Sequence, residues 1–118
     1  MKIKDVIDRE ELLSLVDGDM ELLCELIDLF MEGCQKHMSD IETAIIKKDS
    51  SGLYHSAHAL KGSVGNFVSN EPFNMAFELE KMGKDEDFSD SIKAYKTLEE
   101  EIDIFRQNLE LVKENGFF

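Results

Sequence analysis

The chain has 118 residues, enough for one domain and too few for two separate cores. Its 26 acidic and 13 basic residues give a formal net charge of −13. Such a surface repels phosphate backbones and anionic lipid, which argues against nucleic acid and membrane as partners. A hydrophobic fraction of 42% supports a real core, while no apolar run approaches the roughly 18 residues of a membrane span. The N-terminal MKIKDVIDREELL turns acidic before any apolar region develops, which is unlike a signal peptide. A soluble, cytoplasmic protein is therefore expected. Cys24 and Cys34 are too few for a disulfide framework and read as buried, reduced thiols.

Helical spacing dominates the chain from end to end. A short leading helix is expected from about Asp8 to Val16, ending near Gly18. A long helix follows, capped by Asp19. It carries Leu23, Ile27, Phe30, Cys34, Met38, Ile41 and Ile45 on one face and fades at Lys47-Lys48-Asp49. Ser50 or Ser51 is the expected cap of the next helix, which holds HSAHALKGSVGNF. Ser69 or Asn70 should cap another, with Pro72, the only proline, tolerated in its first turn. That helix carries Phe73, Met75, Ala76, Leu79 and Met82 and is expected to stop at Gly83. The last helix bears a stripe of Phe88, Ile92, Tyr95, Leu98, Ile102, Phe105, Leu109 and Val112. Short connections between the four longer helices predict an all-α, antiparallel up-down four-helix bundle. The short N-terminal helix would cap one end, with residues 1–118 forming a single domain.

His55–Phe67 is unusual because it accepts Gly62 and Gly65, each costing a helix roughly 1 kcal/mol relative to alanine. On a wheel of about 100° per residue, Leu53, Ala57, Leu60, Val64 and Phe67 gather on one face, toward the core. His58 points away from it. Gly62 falls about 40° to one side of the histidine and Gly65 about 20° to the other. Lys61, three residues on, stands beside it. The glycines thus face away from the core and leave room for something large to approach the ring. An exposed neutral imidazole is a good nucleophile near neutral pH, and an adjacent ammonium suits an anionic product. Together these describe a histidine that accepts a phosphoryl group from a bulky donor. An idle surface histidine is the plainer reading of His58 alone; two glycines on its own face weigh against that.

Ala57-His58-Ala59-Leu60-Lys61-Gly62-Ser63, with Asn66 shortly after, resembles the A-H-x-L-K-G-S signature of histidine-containing phosphotransfer (HPt) domains. The upstream DMELLCELIDLF and downstream AFELEKMG are also similar to helices of that family, so the likeness spans nearly the whole chain. It implies that His58 is the phosphorylated residue, reacting through Nε2. It implies that Lys61 steadies the incoming group and that Gly62 supplies clearance. Glu80 matches a position where the family often has Gln or Glu, and there it would accept the imidazole Nδ1–H. Gly65 and Asn66 would support the site. The family usually has a glycine ten residues after the histidine, where this chain has Val68; Gly65 is an extra glycine that partly compensates.

The resemblance further implies a phosphorelay intermediate. It would take a phosphoryl group from the phospho-aspartate of a response-regulator receiver domain and pass it to another receiver. A hybrid sensor histidine kinase is a further candidate partner. The receiver would supply Mg, and this chain would need no cofactor of its own. It has no Gly-rich phosphate loop and should act as a phosphocarrier that cannot phosphorylate itself from ATP. The docking surface is expected on the helix carrying His58 and the one before it. Met1 and the lack of linkers favour a free-standing chain. The alternative from a different class is a non-catalytic acidic helical adaptor. His55 is a rival nucleophile, but it is followed at three and four residues by His58 and Ala59, not by Lys and Gly. Cys24, Cys34 and His37 raise the thought of a metal-responsive bundle. Solvated surface and core thiol is the better account, since zinc needs three or four ligands, and no metal site is expected.

Overall fold

The structure, a computed structural model, describes residues 12, 14–67 and 71–115. The described residues form helices and the turns between them and include no strand. Helix α1 spans Met20–Lys47, α2 Ser50–Gly65, α3 Glu71–Lys84 and α4 Ser91–Asn115. Each packs against its neighbour in sequence, and α1 also packs against α4. The leading helix expected over 8–16 lies mostly outside the described residues. Leu12, Ser14 and Leu15 are helical, and Leu12 and Val16 reach the core.

Asp19 caps α1 as its sequence position suggests, its Oδ1 accepting the Leu22 N–H at 3.1 Å. The expected face of α1 is buried, with Met38 half-buried. The cap of α2 differs from expectation. Lys48 takes a left-handed conformation at φ 54° and ends α1 abruptly. The Asp49 N–H then reaches back to the Ala44 carbonyl at 2.8 Å, which closes the helix end. Asp49 arrives already extended and accepts the Gly52 N–H at 3.0 Å. A carboxylate at that point takes the cap, and Ser50 and Ser51 become the first residues of α2.

The wheel for α2 holds: Leu53, Ala57, Leu60 and Val64 are fully buried and Phe67 nearly so. Phe67 meets Phe30 of α1 and Phe105 of α4 edge to face, at centroid separations of 5.6 and 6.0 Å, and Phe30 meets Phe105 at 5.2 Å. These three rings join three helices in one aromatic knot, an arrangement the ring quadrupoles favour. Ser69 and Asn70, the expected caps of α3, and Val68 lie outside the described residues; Pro72 does sit in the first turn of α3.

Two expectations fail in instructive ways. Ile92 was placed on the inward stripe of α4 but is 64% exposed. Ser91 and Ala94 face inward at this end instead, with the Ser91 hydroxyl satisfied by the Phe88 carbonyl at 2.8 Å. The inward line runs Ser91–Ala94–Leu98, which leaves Ile92 turned about 100° away.

Gly83 does not stop α3, which continues to Lys84. It is buried against α2. A Cβ there would lie 2.5 Å from the Tyr54 nitrogen and 2.8 Å from the Ser50 carbonyl oxygen. Backbone touches backbone at this point. At the other end of the pair, a Cβ on Gly65 would meet the Phe73 ring at 3.1 Å.

Alanine at Gly83 should therefore cost stability although it is the better helix former. The overpacking penalty is about 1–3 kcal/mol, against a propensity gain of roughly 1 kcal/mol. Chemical denaturation of G83A is expected to give a lower midpoint than the parent chain, with the loss at the upper part of that range because the obstacle is backbone.

Candidate functional site

The fold brings His58, Lys61 and Glu80 together. His58 lies in the middle of α2 with its side chain 58% exposed, while Glu80 on α3 is nearly buried. The Glu80 carboxylate divides its two oxygens. Oε2 faces His58 Nδ1 at 3.3 Å, and Oε1 pairs with Lys61 Nζ at 2.8 Å. Burial alone would raise the carboxyl above its usual range; the hydrogen bonds and charges of Lys61 and His58 outweigh it and hold Glu80 below that range. An ionised carboxylate can only accept, so the proton between it and the imidazole sits on Nδ1. Nε2, the outer nitrogen, is left with its lone pair.

Lys61 is less exposed than the sequence suggests, with its side chain 20% accessible. Besides pairing with Glu80 it lies over the Phe77 ring, 4.9 Å from the centroid, a cation–π contact that Lys81 repeats from 5.5 Å. The two glycines of α2 serve different ends. A Cβ on Gly62 would meet nothing within 4 Å, so this position is open beside the histidine as expected. Gly65 is packed against Phe73 and serves the contact between α2 and α3, a correction to its reading as clearance. Asn66 is the exposed C-cap of α2. It lines a groove with Leu26, Leu29 and Phe30 of α1.

Two residues of the site were not singled out in the sequence. Tyr54, one turn before His58, stacks on the imidazole with 13° between the planes and 5.9 Å between centroids. Its spacing of four was the available signal. Phe77, 41% exposed, stands three residues before Glu80 on α3; an aromatic on a wet helix face was its signal.

The rival residues lie apart from this cluster. Exposed His55 meets Tyr54 edge-on at 5.1 Å and has no carboxylate partner among the described residues. His37 is half-buried, and desolvation followed by the Lys36 charge lowers its pKa, with Asp40 opposing. Cys34 is buried, and desolvation pushes its thiol up to about 11, so it stays protonated and unreactive at neutral pH. Cys24 is a half-buried free thiol. No cluster of three or more potential metal ligands occurs among the described residues. No described helix is long and apolar enough to cross a membrane.

Two measurements check this geometry. G62A should raise stability by up to about 1 kcal/mol in denaturation, because the added methyl meets nothing and alanine favours the helix. E80Q should lower stability at neutral pH by roughly 1 kcal/mol, through loss of a charge-assisted bond to Lys61. A depressed carboxyl stabilises the fold above its unfolded pKa and loses that contribution as pH falls through the folded one. The gap between E80Q and the parent is thus expected to persist at neutral pH and close only in acid, below the usual carboxylate range.

Comparison with known proteins bears on the family and the fold. The family model for the Hpt domain matches residues 25–108. The crystal structure of histidine-containing phosphotransfer protein B (HptB) from Pseudomonas aeruginosa PAO1 superposes with a TM-score of 0.85 at 21% identity, covering 92% of this chain and 94% of that one. No curated protein sequence matches the chain. With a family match over residues 25–108, most of the chain, this protein belongs to the Hpt domain family.

Proposed function

We propose that the protein is a phosphorelay intermediate in which His58 accepts a phosphoryl group from a phospho-aspartyl receiver domain and returns it to the aspartate of another. The observation that carries this reading is the bond from His58 Nδ1 to Glu80 Oε2 at 3.3 Å on a ring that is 58% exposed. It holds the proton on the inner nitrogen and presents the outer one to solvent as a nucleophile.

In the step, the Nε2 lone pair attacks phosphorus in line. The N–P bond forms as the bond from phosphorus to the aspartyl oxygen breaks, and the aspartate leaves as a carboxylate. The Nδ1 proton stays on the ring, and Glu80 stabilises the positive charge the imidazole gains. Lys61 would turn from Glu80 toward the phosphoryl oxygens. The receiver would bring the Mg ion that neutralises those oxygens; this chain is proposed to act without a cofactor of its own, as a phosphocarrier without ATP-dependent kinase activity.

The carrier we envisage is an antiparallel up-down bundle. Its supporting contacts are Gly65 with Phe73 at one end of the α2–α3 pair and Gly83 with Tyr54 at the other. Docking is proposed on α2 and α3, since α3 supplies Glu80 and the exposed Phe77 beside His58. This shifts the expected surface from the helix before α2 to the one after it. The open side of Gly62 gives the receiver its approach. A hybrid sensor kinase is one proposed source of the donor receiver, and the cytoplasm the proposed compartment.

The test is incubation with receivers charged by acetyl phosphate, following acid-labile, base-stable label on this chain. The parent should take up label and H58Q should take up none. Equal labelling of both would remove His58 from the chemistry, and an absence of label on the parent would favour an adaptor that binds without transfer.

A further inference from the structure

We infer that Tyr54 is a positioning residue that holds the plane of the His58 imidazole, a role whose value for transfer rests on the reading above. The two residues are four apart on α2 and share one side of the helix. Helical side chains lean toward the N-terminus, so the His58 ring folds back over the turn that carries Tyr54. There the rings lie 13° from parallel with centroids 5.9 Å apart, within the range of offset stacking.

The hydrogen bond from Nδ1 to Glu80 is a single point of attachment. With the Cβ–Cγ bond as the ring's covalent anchor, rotations about Cα–Cβ and Cβ–Cγ can still swing its plane within the reach of that hydrogen bond. A parallel ring alongside removes the swing. No other ring among the described residues lies along the imidazole: the side chain is 58% exposed, and a Cβ on Gly62, one turn further on, would meet no atom within 4 Å. The lone pair of Nε2 lies in the ring plane, so that plane sets the line along which a phosphorus atom must arrive. Misalignment at such a centre is costly in rate.

Tyr54 is itself held in place. Its backbone lies against the bare side of Gly83 on α3, where an added Cβ would stand 2.5 Å from the Tyr54 nitrogen, and the His55 ring packs on it edge-on at 77°. The platform is therefore fixed by the same helix that delivers Glu80. Stacking uses the ring and not the hydroxyl, so phenylalanine should serve equally.

The experiment compares the parent chain with Y54F and Y54L. Carbon relaxation at His58 Cδ2 and Cε1 in the free protein reads the order of the ring. Single-turnover labelling from a charged receiver, over a range of receiver concentrations, reads transfer. We expect an ordered ring and parental rates in Y54F. In Y54L we expect a mobile ring and a maximal rate about two- to tenfold lower, with the half-saturating receiver concentration unchanged. An ordered ring in Y54L overturns the proposal. So does a loss confined to half-saturation, which would make Tyr54 a docking contact. If no variant takes label yet ring order still follows the aromatic, the phosphotransfer reading fails while the hold of Tyr54 on His58 stands. Y54M gives a second flexible replacement of similar size should Y54L lose its cooperative unfolding transition.

Discussion

The contact of Gly83 with the backbone of α2 sets the dimensions of the site. Because no side chain separates the helices there, the last turn of α3 comes against Ser50 and Tyr54. Glu80, one turn earlier on α3, then lies within reach of α2, and its carboxylate spans to both His58 and Lys61. A wider spacing would leave a buried acid with no partner, at a cost that rises steeply in a low-dielectric setting. The glycine costs the helix some propensity and gives the imidazole its carboxylate.

Charge at the site is more evenly balanced than charge over the chain. The protein is strongly acidic overall, yet the exposed Phe77 is flanked by Lys61 and Lys81, and His58 adjoins Lys61 through Glu80. Distant acidic groups are screened over about 8–10 Å at physiological salt, so what approaches the site meets chiefly the near charges, Lys61 and Lys81 with their partners Glu80 and Glu78. The bulk charge then contributes mainly to solubility. In the resting arrangement Lys61 is engaged with Glu80 and Phe77, which satisfies a partly buried ammonium until an anion competes for it.

The core explains why the site can be so open. Three aromatic rings from α1, the end of α2 and α4 interlock on the side away from His58, and the buried residues of α2 all lie on the inward face. Stability is drawn from that face. The outward side, where His58 and Gly62 sit, carries little of that packing: the His58 side chain is 58% exposed and a Cβ on Gly62 would meet nothing within 4 Å.

Much of this was legible along the chain, and the limits have physical reasons. Periodicity of three and four residues gave the helices and the buried face of α2, because burial repeats with the helical turn. It misplaced Ile92, since a stripe read from apolar residues alone ignores that small residues such as Ser91 and Ala94 can face inward where helices lie close. It chose serine as the cap of α2, because the abrupt left-handed turn at Lys48 that delivers Asp49 leaves no sequence signal of its own. The motif around His58 singled out the proposed nucleophile, and its spacing placed Lys61 and Gly62 next to it.

The sequence by itself determined that the chain is helical, that His58 turns outward and that Gly62 leaves its flank bare, because these follow from angles within one helix. Only the tertiary structure decided that Glu80 is shared between His58 and Lys61, that Gly65 and Gly83 bring two helices together, and that Tyr54 and Phe77 belong to the site. Those facts depend on the distance and rotation between helices. Many side chains set that distance jointly, and no single stretch of residues encodes it.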